Sequence, residues 1–227
     1  MKVINVYNII TKQYLHDLEE LYSFLSTQER SQSSKFITSA LSNNYIITRA
    51  VLRCILAKSL KIKPQEIKFL TNPYGKPSVE GSVIKFNMSH SVNSAYYGVS
   101  DDFDLGIDVE FFNVKKNIFD IAKSVFSTRE FCYFVNLSSE GQQKFFFEAW
   151  TKKEAMIKAL GLGLSYPMEK VDTLNMKNSN CLELLGERYY LYKLHSTEYY
   201  RAHLVIKNRM DVKINQGLLL PSELHKL

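Results

Sequence analysis

Two carboxylates placed two residues apart are the first feature of this sequence that could do chemistry. Asp108 and Glu110 lie in the otherwise apolar residues 105–111, whose pattern predicts a strand. Successive side chains of a strand point to opposite faces, so both carboxylates share one face while Ile107 and Val109 point into a core. Two such carboxylates repel each other unless a positive group lies between them. A magnesium ion whose coordination shell is completed by substrate phosphates would supply that charge. The alternative is an edge strand whose two carboxylates face solvent.

A second charged pair lies on a predicted helix. The pattern of residues 142–160 predicts one long helix, on which Glu154 and Lys158 are four residues apart and share a face. The pair could hold a metal ion and a phosphate side by side. Two alternatives stay open: a surface ion pair, and a capping box from Thr151 to Glu154. The apolar pattern that continues upstream of Thr151 weakens the capping box.

A histidine among small polar residues forms a third candidate group. Residues 86–91, Phe-Asn-Met-Ser-His-Ser, are typical of a strand end with Ser89 and Ser91 on either side of His90. Backbone amides, serine hydroxyls and an imidazole together can hold a phosphate. A lone histidine at a strand end is also compatible with a purely structural role.

A mixed set of helices and strands must position these groups. Apolar residues at helical or alternating spacing predict the elements, and the prolines and glycine of residues 72–77 predict a turn-rich loop. The predicted helices cover residues 16–25, 44–59, 118–126 and 142–160. The predicted strands cover residues 3–9, 84–89, 94–99 and 105–111, followed by a β-hairpin over 189–194 and 199–206.

The sequence also contains a weak internal repeat. Residues 24–29, Phe-Leu-Ser-Thr-Gln-Glu, are echoed about a hundred residues later by residues 125–130, Val-Phe-Ser-Thr-Arg-Glu. The helices that follow the two segments also match loosely. We interpret this as a degenerate tandem duplication. Two halves related by a pseudo-twofold axis would place a binding site in the cleft between them.

The composition limits the kinds of partner and compartment. The formal charge of +6 and the isoelectric point of about 9.0 favour anionic partners. The three cysteines are far apart and form no Cys-x-x-Cys pair, which argues for reduced thiols rather than disulfides or zinc. No apolar run approaches the ~20 residues that a membrane helix needs. We therefore predict a cytoplasmic protein that has no membrane partner.

Four motifs in this order resemble those of a known family. Residues 74–77 read Tyr-Gly-Lys-Pro, residues 87–91 Asn-x-Ser-His-Ser, residues 106–110 Gly-Ile-Asp-x-Glu, and residues 150–158 Trp-x-x-Lys-Glu-Ala-x-x-Lys. Over residues 20–205 the chain resembles the 4'-phosphopantetheinyl transferases that activate polyketide, peptide and fatty-acid synthases, in the subgroup with Trp-x-x-Lys-Glu-Ala. The resemblance implies an α+β fold of two similar α/β halves related by a pseudo-twofold axis, with the active site in their cleft. We place the halves at residues 1–102 and 103–227.

The resemblance implies a role for each candidate residue. The N-terminal half would supply adenine and phosphate contacts, and the C-terminal half the metal site and the docking surface. The implied ligands of Mg²⁺, or of Mn²⁺ in its place, are Asp108, Glu110 and Glu154. The implied contacts of coenzyme A are Arg53, Tyr74, Gly75, Lys76, Pro77, Ser89, His90 and Lys158. The implied catalytic residues are Glu130, Lys158 and His90.

The implied reaction is attack by a carrier-protein serine on the β-phosphate of coenzyme A, which releases adenosine 3',5'-bisphosphate. Either Glu130 or a metal-bound water would take the serine proton. A capping box with Ser127 is the alternative role of Glu130. The chain departs from the family at Asn44, where members often carry a phosphate-binding arginine. The charge for the ribose 3'-phosphate would then come from Lys35, Arg30 or Arg49.

The implied partners are coenzyme A and an acidic acyl or peptidyl carrier protein, which would dock on residues 111–123 of a monomer with internal pseudo-twofold symmetry. Two alternatives compete with this interpretation. A non-catalytic coenzyme A-binding module would not need the three carboxylates. A metal-dependent nuclease would need a contiguous basic stripe with aromatic residues, whereas the basic residues here are dispersed, so we predict no nucleic-acid partner.

Overall fold

The computed structural model describes residues 2–112, 117–177, 180–208 and 211–224. Its helices are α1 (Leu18–Ser23), α2 (Thr27–Ser33), α3 (Ser39–Leu60), α4 (Phe119–Val125), α5 (Thr128–Val135), α6 (Ser139–Leu160) and α7 (Pro221–Leu224). Its strands are β1 (Lys2–Ile10), β2 (Phe69–Thr71), β3 (Pro77–Val79), β4 (Lys85–Ser91), β5 (Ser94–Ser100), β6 (Leu105–Phe111), β7 (Cys181–Leu184), β8 (Glu187–Lys193), β9 (Tyr200–Lys207) and β10 (Val212–Leu218). Short 3₁₀ helices cover Thr11–Asp17, Pro64–Glu66, Gly163–Ser165, Met168–Lys170 and Asn175–Lys177.

Two four-stranded sheets and a small hairpin carry the fold, which confirms the mixed α and β class. The first sheet has the order β10-β1-β5-β4 and the second the order β6-β9-β8-β7, while β2 pairs with β3. Most pairs are antiparallel, but β1 and β10 are parallel, with Lys2 opposite Val212 and Asn8 opposite Leu218.

The C-terminal strand does not follow the predicted division of the chain. Residues 1–102 and 103–227 were expected to form separate halves, yet β10 pairs with β1 in the first sheet. The hydroxyl of the buried Tyr14 donates to the carbonyl of Leu219 at 2.6 Å, and Leu219 and Leu224 pack in the first core. The pairing of β10 with β1 joins residues about two hundred positions apart, and the local sequence pattern of residues 212–218 does not encode such a partner.

Helices α3 and α6 cover the two sheets. Against the first sheet, the buried Tyr97 of β5 donates its hydroxyl to the carbonyl of Thr48 on α3 at 3.1 Å. Against the second sheet, α6 lies directly on β6 and β9. Gly106 makes this approach possible, because a Cβ atom there would stand 2.1 Å from the carbonyl oxygen of Ala155.

The two sheets meet where β4 lies beside β6, and side chains bridge the seam. The amide oxygen of Asn87 accepts from the backbone N–H of Ile107 at 2.9 Å. The hydroxyl of Ser91 likewise accepts from the N–H of Phe111 at 3.1 Å. The candidate motifs of residues 87–91 and 106–110 are thereby held next to each other.

The predicted helix ends differ from the observed ones where capping decides them. The helix predicted over 44–59 begins at Ser39, because the Thr38 side chain accepts from the N–H of Leu41. The helix predicted over 142–160 begins at Ser139, after an equivalent Ser138 cap. The helix predicted over 16–25 is divided between the 3₁₀ helix Thr11–Asp17 and α1.

Candidate active site

Two carboxylates of β6 face the end of β4, as the strand alternation predicted. Asp108 is only 3% exposed, and its Oδ1 accepts from the hydroxyl of Ser89 at 2.8 Å and from the ammonium of Lys158 at 2.6 Å. Its Oδ2 is buried and has no hydrogen-bond partner among the residues that the structure describes. Glu110 Oε2 accepts from the hydroxyl of Ser91 at 3.0 Å. Residues far apart in the sequence thus converge at the seam of the two sheets.

Helix α6 brings a third carboxylate to this group. Burial, together with the negative charges of Asp108 and Glu110, raises the pKa of Glu154, and the Lys158 ammonium opposes the rise. An acid whose pKa responds to two other carboxylates shares one electrostatic site with them. Glu154 and Lys158, which share a helix face, therefore belong to a larger charged group with Asp108 and Glu110.

The carboxylate oxygens of this cluster are of the kind that a divalent cation prefers. Across the four described segments of the chain, no three acidic, histidine or cysteine side chains stand together at the distances of a single ion. The Lys158 ammonium lies beside Asp108 and supplies the positive charge there. The buried Asp108 Oδ2, which has no partner among the described residues, is one such oxygen that remains available.

A pocket of about 300 Å³ opens next to the carboxylates and is lined from both sides of the seam. Its lining residues are Tyr74, Gly75, Lys76, Pro77, Asn87, Met88, Glu154, Ile157, Lys158, Gly161 and Gly163. The turn-rich loop and the helix that carries two of the charged residues therefore line the same cavity.

The serine and histidine of the third motif lie at the same place. Ser89 is buried, and its hydroxyl accepts from Lys158 at 3.1 Å. His90 is exposed at the next position of β4, where partial loss of solvent and the nearby Lys158 ammonium lower its pKa. Ser89 thus belongs to the hydrogen-bond network of Asp108 and Lys158, and His90 adds an exposed imidazole near that ammonium.

Comparison with known proteins decides the family. A family profile described as "4'-phosphopantetheinyl transferase superfamily" matches residues 104–209, and one described as "4'-phosphopantetheinyl transferase, N-terminal" matches residues 12–99. The 4'-phosphopantetheinyl transferase HetI of Nostoc is 32% identical over 166 residues, which cover 71% of this chain and 70% of the Nostoc protein. The chain belongs to the 4'-phosphopantetheinyl transferase superfamily.

Further matches of this transferase are more partial. A Synechocystis protein of the same family is 30% identical over 152 residues, or 66% of this chain, and the match spans 62% of that protein's own length. The solved structure of Thermotoga maritima holo-acyl-carrier-protein synthase covers 48% of this chain and 65% of its own, with 20% identity and a TM-score of 0.33. So distant a structural likeness carries no argument about the site.

Arg53 is not brought to the pocket of the transferase. Its guanidinium is 2% exposed and donates to Glu29 Oε2 at 2.6 Å and to the carbonyls of Pro64 (2.7 Å) and Ile67 (3.1 Å). These bonds fasten α3 to α2 and to the segment that follows α3. The expected coenzyme A contact from Arg53 therefore has no counterpart in this arrangement.

Glu130 is also placed away from the carboxylate cluster. The capping box with Ser127 is present, and the other oxygen of Glu130 accepts from the N–H and the hydroxyl of Thr173 at 2.8 and 2.6 Å. Its side chain is fully buried and pairs with the equally buried Lys153 at 2.7 Å. The structure thus supports the capping alternative and offers the base role no exposed oxygen.

Sequence reasoning missed the role of Lys153. Lys153 donates to the carbonyls of Met168 (3.0 Å) and Val171 (2.6 Å) besides pairing with Glu130, and burial lowers its pKa against the attraction of that carboxylate. A signal was available, because a lysine at a position of the helix that faces the core must have a buried partner.

The expected docking segment is described only in part. Residues 113–116 of the predicted surface 111–123 lie outside the described residues, while Phe119 and Lys123 on α4 are exposed. Within the described part of the chain, no helix is both long and apolar enough to cross a membrane.

Proposed function

We propose that this transferase moves the 4'-phosphopantetheine group of coenzyme A to a serine of an apo acyl or peptidyl carrier protein and releases adenosine 3',5'-bisphosphate. The observation that carries the proposal is the meeting of Asp108, Glu110, Glu154 and Lys158 beside a pocket lined from both sides of the seam. A pyrophosphate needs such a combination of ammonium and metal-binding oxygens, and the pocket is large enough for the adenine end.

Each group of residues has a part in this proposal. Residues 74–77 would line the adenine, while Ser89, His90 and Lys158 would hold phosphate oxygens. Because Lys158 now lies against Asp108, it would turn to the phosphates when a cation takes its place there. Lys158 would then stabilise the charge that develops on the bridging oxygen of the leaving group.

Asp108, Glu110 and Glu154 would hold Mg²⁺ or Mn²⁺. Such an ion, when bound, would neutralise pyrophosphate oxygens and so favour departure of the nucleotide. The buried Asp108 Oδ2, which has no partner among the described residues, and the raised pKa of Glu154 support this donor set, because Lys158 bonds only the other oxygen of Asp108 and does not offset the rise at Glu154.

Of Lys35, Arg30 and Arg49, the residue that would supply positive charge to the ribose 3'-phosphate is Arg49. Its Nη1 lies 4.0 Å from the sulfur of Met88, which lines the pocket. Asn44 is turned elsewhere and donates to the carbonyl of Val92 at 3.0 Å.

The two halves would descend from a duplicated unit related by a pseudo-twofold axis. Two buried clamps support this idea. In the first half Glu29 closes a capping box with Ser26 and pairs with Arg53, and in the second Glu130 closes one with Ser127 and pairs with Lys153. In both clamps the cation also donates to two carbonyls of the segment after its long helix.

The carrier would be acidic, since the transferase is basic, and it would reach the site over the surface around α4. We further propose a cytoplasmic monomer.

Weighing carrier proteins tests the reaction. The purified chain, coenzyme A, Mg²⁺ and a panel of apo carrier proteins should give carriers heavier by one phosphopantetheine group. A chelator should abolish the change, and Mg²⁺ or Mn²⁺ should restore it. Asp108→Asn should lower turnover by roughly 10² to 10³-fold, the size of effect that loss of one electrostatic stabiliser has.

The matched control is Asp104→Asn, which removes a more exposed aspartate near the start of the same strand and should leave turnover unchanged. Full turnover in chelator would overturn the metal assignment. Tight binding of coenzyme A without any change of carrier mass would favour the alternative of a non-catalytic binding module.

A further inference from the structure

The last carbonyl groups of α6 are bound by side chains from the other side of the pocket. A helix leaves its final carbonyls without intrahelical partners. Here the Lys76 ammonium donates to the carbonyl of Ala159 at 3.2 Å, and the Asn72 amide donates to the carbonyl of Gly161 at 2.8 Å. Lys76 also donates to the carbonyl of Leu105 at 3.1 Å, so that it joins α6 to the start of β6.

The loop that supplies these donors is organised by the same asparagine. The Asn72 side-chain oxygen accepts from the N–H groups of Tyr74 and Lys76 at 3.0 and 2.8 Å, while its NH₂ reaches Gly161. One side chain thus fixes the loop and docks it on the helix end. The fit is close, because a Cβ atom at Gly161 would lie 3.0 Å from Cδ of Lys76.

The charge of Lys76 suits this position. The C-terminal end of a helix carries partial negative charge, which a nearby ammonium stabilises. Burial lowers the pKa of Lys76 to about 8, with Asp104 opposing and Lys85 and Lys207 contributing to the decrease. The partly buried Lys76 ammonium is held by two carbonyl acceptors, which leaves it less free to bind a ligand.

We propose that residues 72–77 cap helix α6 from across the pocket, and that Asn72 and Lys76 are positioning residues that keep Glu154 and Lys158 turned towards bound coenzyme A. This inference rests on the proposed function: residues 74–77 would still line the adenine, while the Lys76 ammonium holds the end of α6 instead of a phosphate. Since the capping loop also lines the pocket, the cap couples the position of this loop to the position of α6.

Hydrogen exchange of the ligand-free full chain tests the cap without any dependence on the reaction. Asn72→Ala and Lys76→Met should each speed amide exchange in residues 157–161 by at least about fivefold, the effect of one lost net hydrogen bond. Exchange in β5, which lies in the first sheet away from the cap, should stay at the wild-type rate. Lys76→Arg keeps the charge and the donors and should restore most of the protection.

Lys85→Met is the matched control, because it removes a neighbouring exposed lysine whose ammonium pairs with Asp104 at 3.6 Å and makes none of the hydrogen bonds described above to the end of α6. It should leave exchange in α6 unchanged. Calorimetric titration should then show about tenfold weaker coenzyme A binding for Lys76→Met, with Lys76→Arg close to wild type, since each tenfold step corresponds to the loss of about one charge-assisted hydrogen bond.

Wild-type exchange in both Asn72→Ala and Lys76→Met would overturn the proposal. So would weaker coenzyme A binding by Lys76→Met with unchanged exchange, since that result identifies a direct ligand contact. If Lys76→Met does not fold, Asn72→Ala decides, because it keeps the buried ammonium. Failure of the transferase assignment would appear separately, as absence of carrier modification by the wild-type chain.

Discussion

At the scale of single residues, burial separates two uses of the same charged side chains. Glu130 and Lys153 are fully buried and satisfy one another together with nearby backbone groups. Asp108 keeps one carboxylate oxygen without a partner, and Lys158 remains partly exposed at the pocket. Glu130 and Lys153 therefore have no accessible polar group to offer a substrate, whereas Asp108 and Lys158 do.

Glu130→Gln should therefore lower stability rather than turnover. Glutamine can still close the capping box with Ser127, but it leaves the Lys153 ammonium buried without a counter-charge, which costs about 3–5 kcal/mol. The measurements are urea unfolding and turnover per folded molecule. Glu140→Gln, at an exposed pair with Lys144, is the control and should change neither.

The opposite outcome would restore the catalytic role of Glu130. Turnover lowered by about 10²-fold or more, with the unfolding free energy unchanged, is what loss of a general base produces.

At the scale of elements, the site depends on how closely α6 lies on β6. One element carries Glu154 and Lys158 and the other carries Asp108 and Glu110, so their separation sets the size of the carboxylate cluster. Gly106 permits the contact because its Cα hydrogen faces the α6 backbone at Ala155 and Ala159. Backbone atoms cannot move aside as the end of a side chain can.

Gly106→Ala should consequently push the helix and strand apart. Overpacking of this kind costs about 1–3 kcal/mol or more, and the displaced carboxylates should also raise the metal concentration needed for half-maximal turnover. Gly217→Ala on β10 is the control, since a Cβ atom there meets nothing within 4 Å. A Gly106→Ala protein with wild-type stability and metal response would show that the contact is unimportant.

The sequence predicted the parts of this arrangement that depend on local pattern. The alternation around Asp108 and the helical spacing of Glu154 and Lys158 place these side chains correctly relative to their own elements. The contact between the elements came only from the family resemblance, because no local rule brings β6 under α6. Arg53 and Glu130 show the limit most clearly, since their motif positions give no sign that tertiary packing encloses them.

At the scale of the whole molecule, the candidate ligand site belongs to both sheets at once. The loop 72–77 and β4 come from the first side of the seam, and the carboxylates and Lys158 from the second. Residues 1–102 alone would lack β10, so a fragment is a poor test of this division. Ligand binding by the intact chain tests the shared site more directly.

Coenzyme A and Mg²⁺ together should raise the melting temperature more than the sum of their separate effects. Each ligand that binds only the folded state stabilises it, and the pyrophosphate would complete the metal shell while the metal neutralises the pyrophosphate. Differential scanning calorimetry with each component and with both measures the coupling. Strictly additive shifts would argue that the two ligands do not share a site.

The pairing of β1 with β10 has a consequence for how the protein is made. Strand β1 leaves the ribosome well before its parallel neighbour β10, which is synthesised about two hundred residues later. Until then Ile4 and Val6 lack part of their cover, and the hydroxyl of Tyr14 lacks the carbonyl of Leu219. The second sheet, whose strands β6 to β9 are complete earlier, can fold first, so the N-terminal sheet should be the last part of the nascent chain to resist a protease.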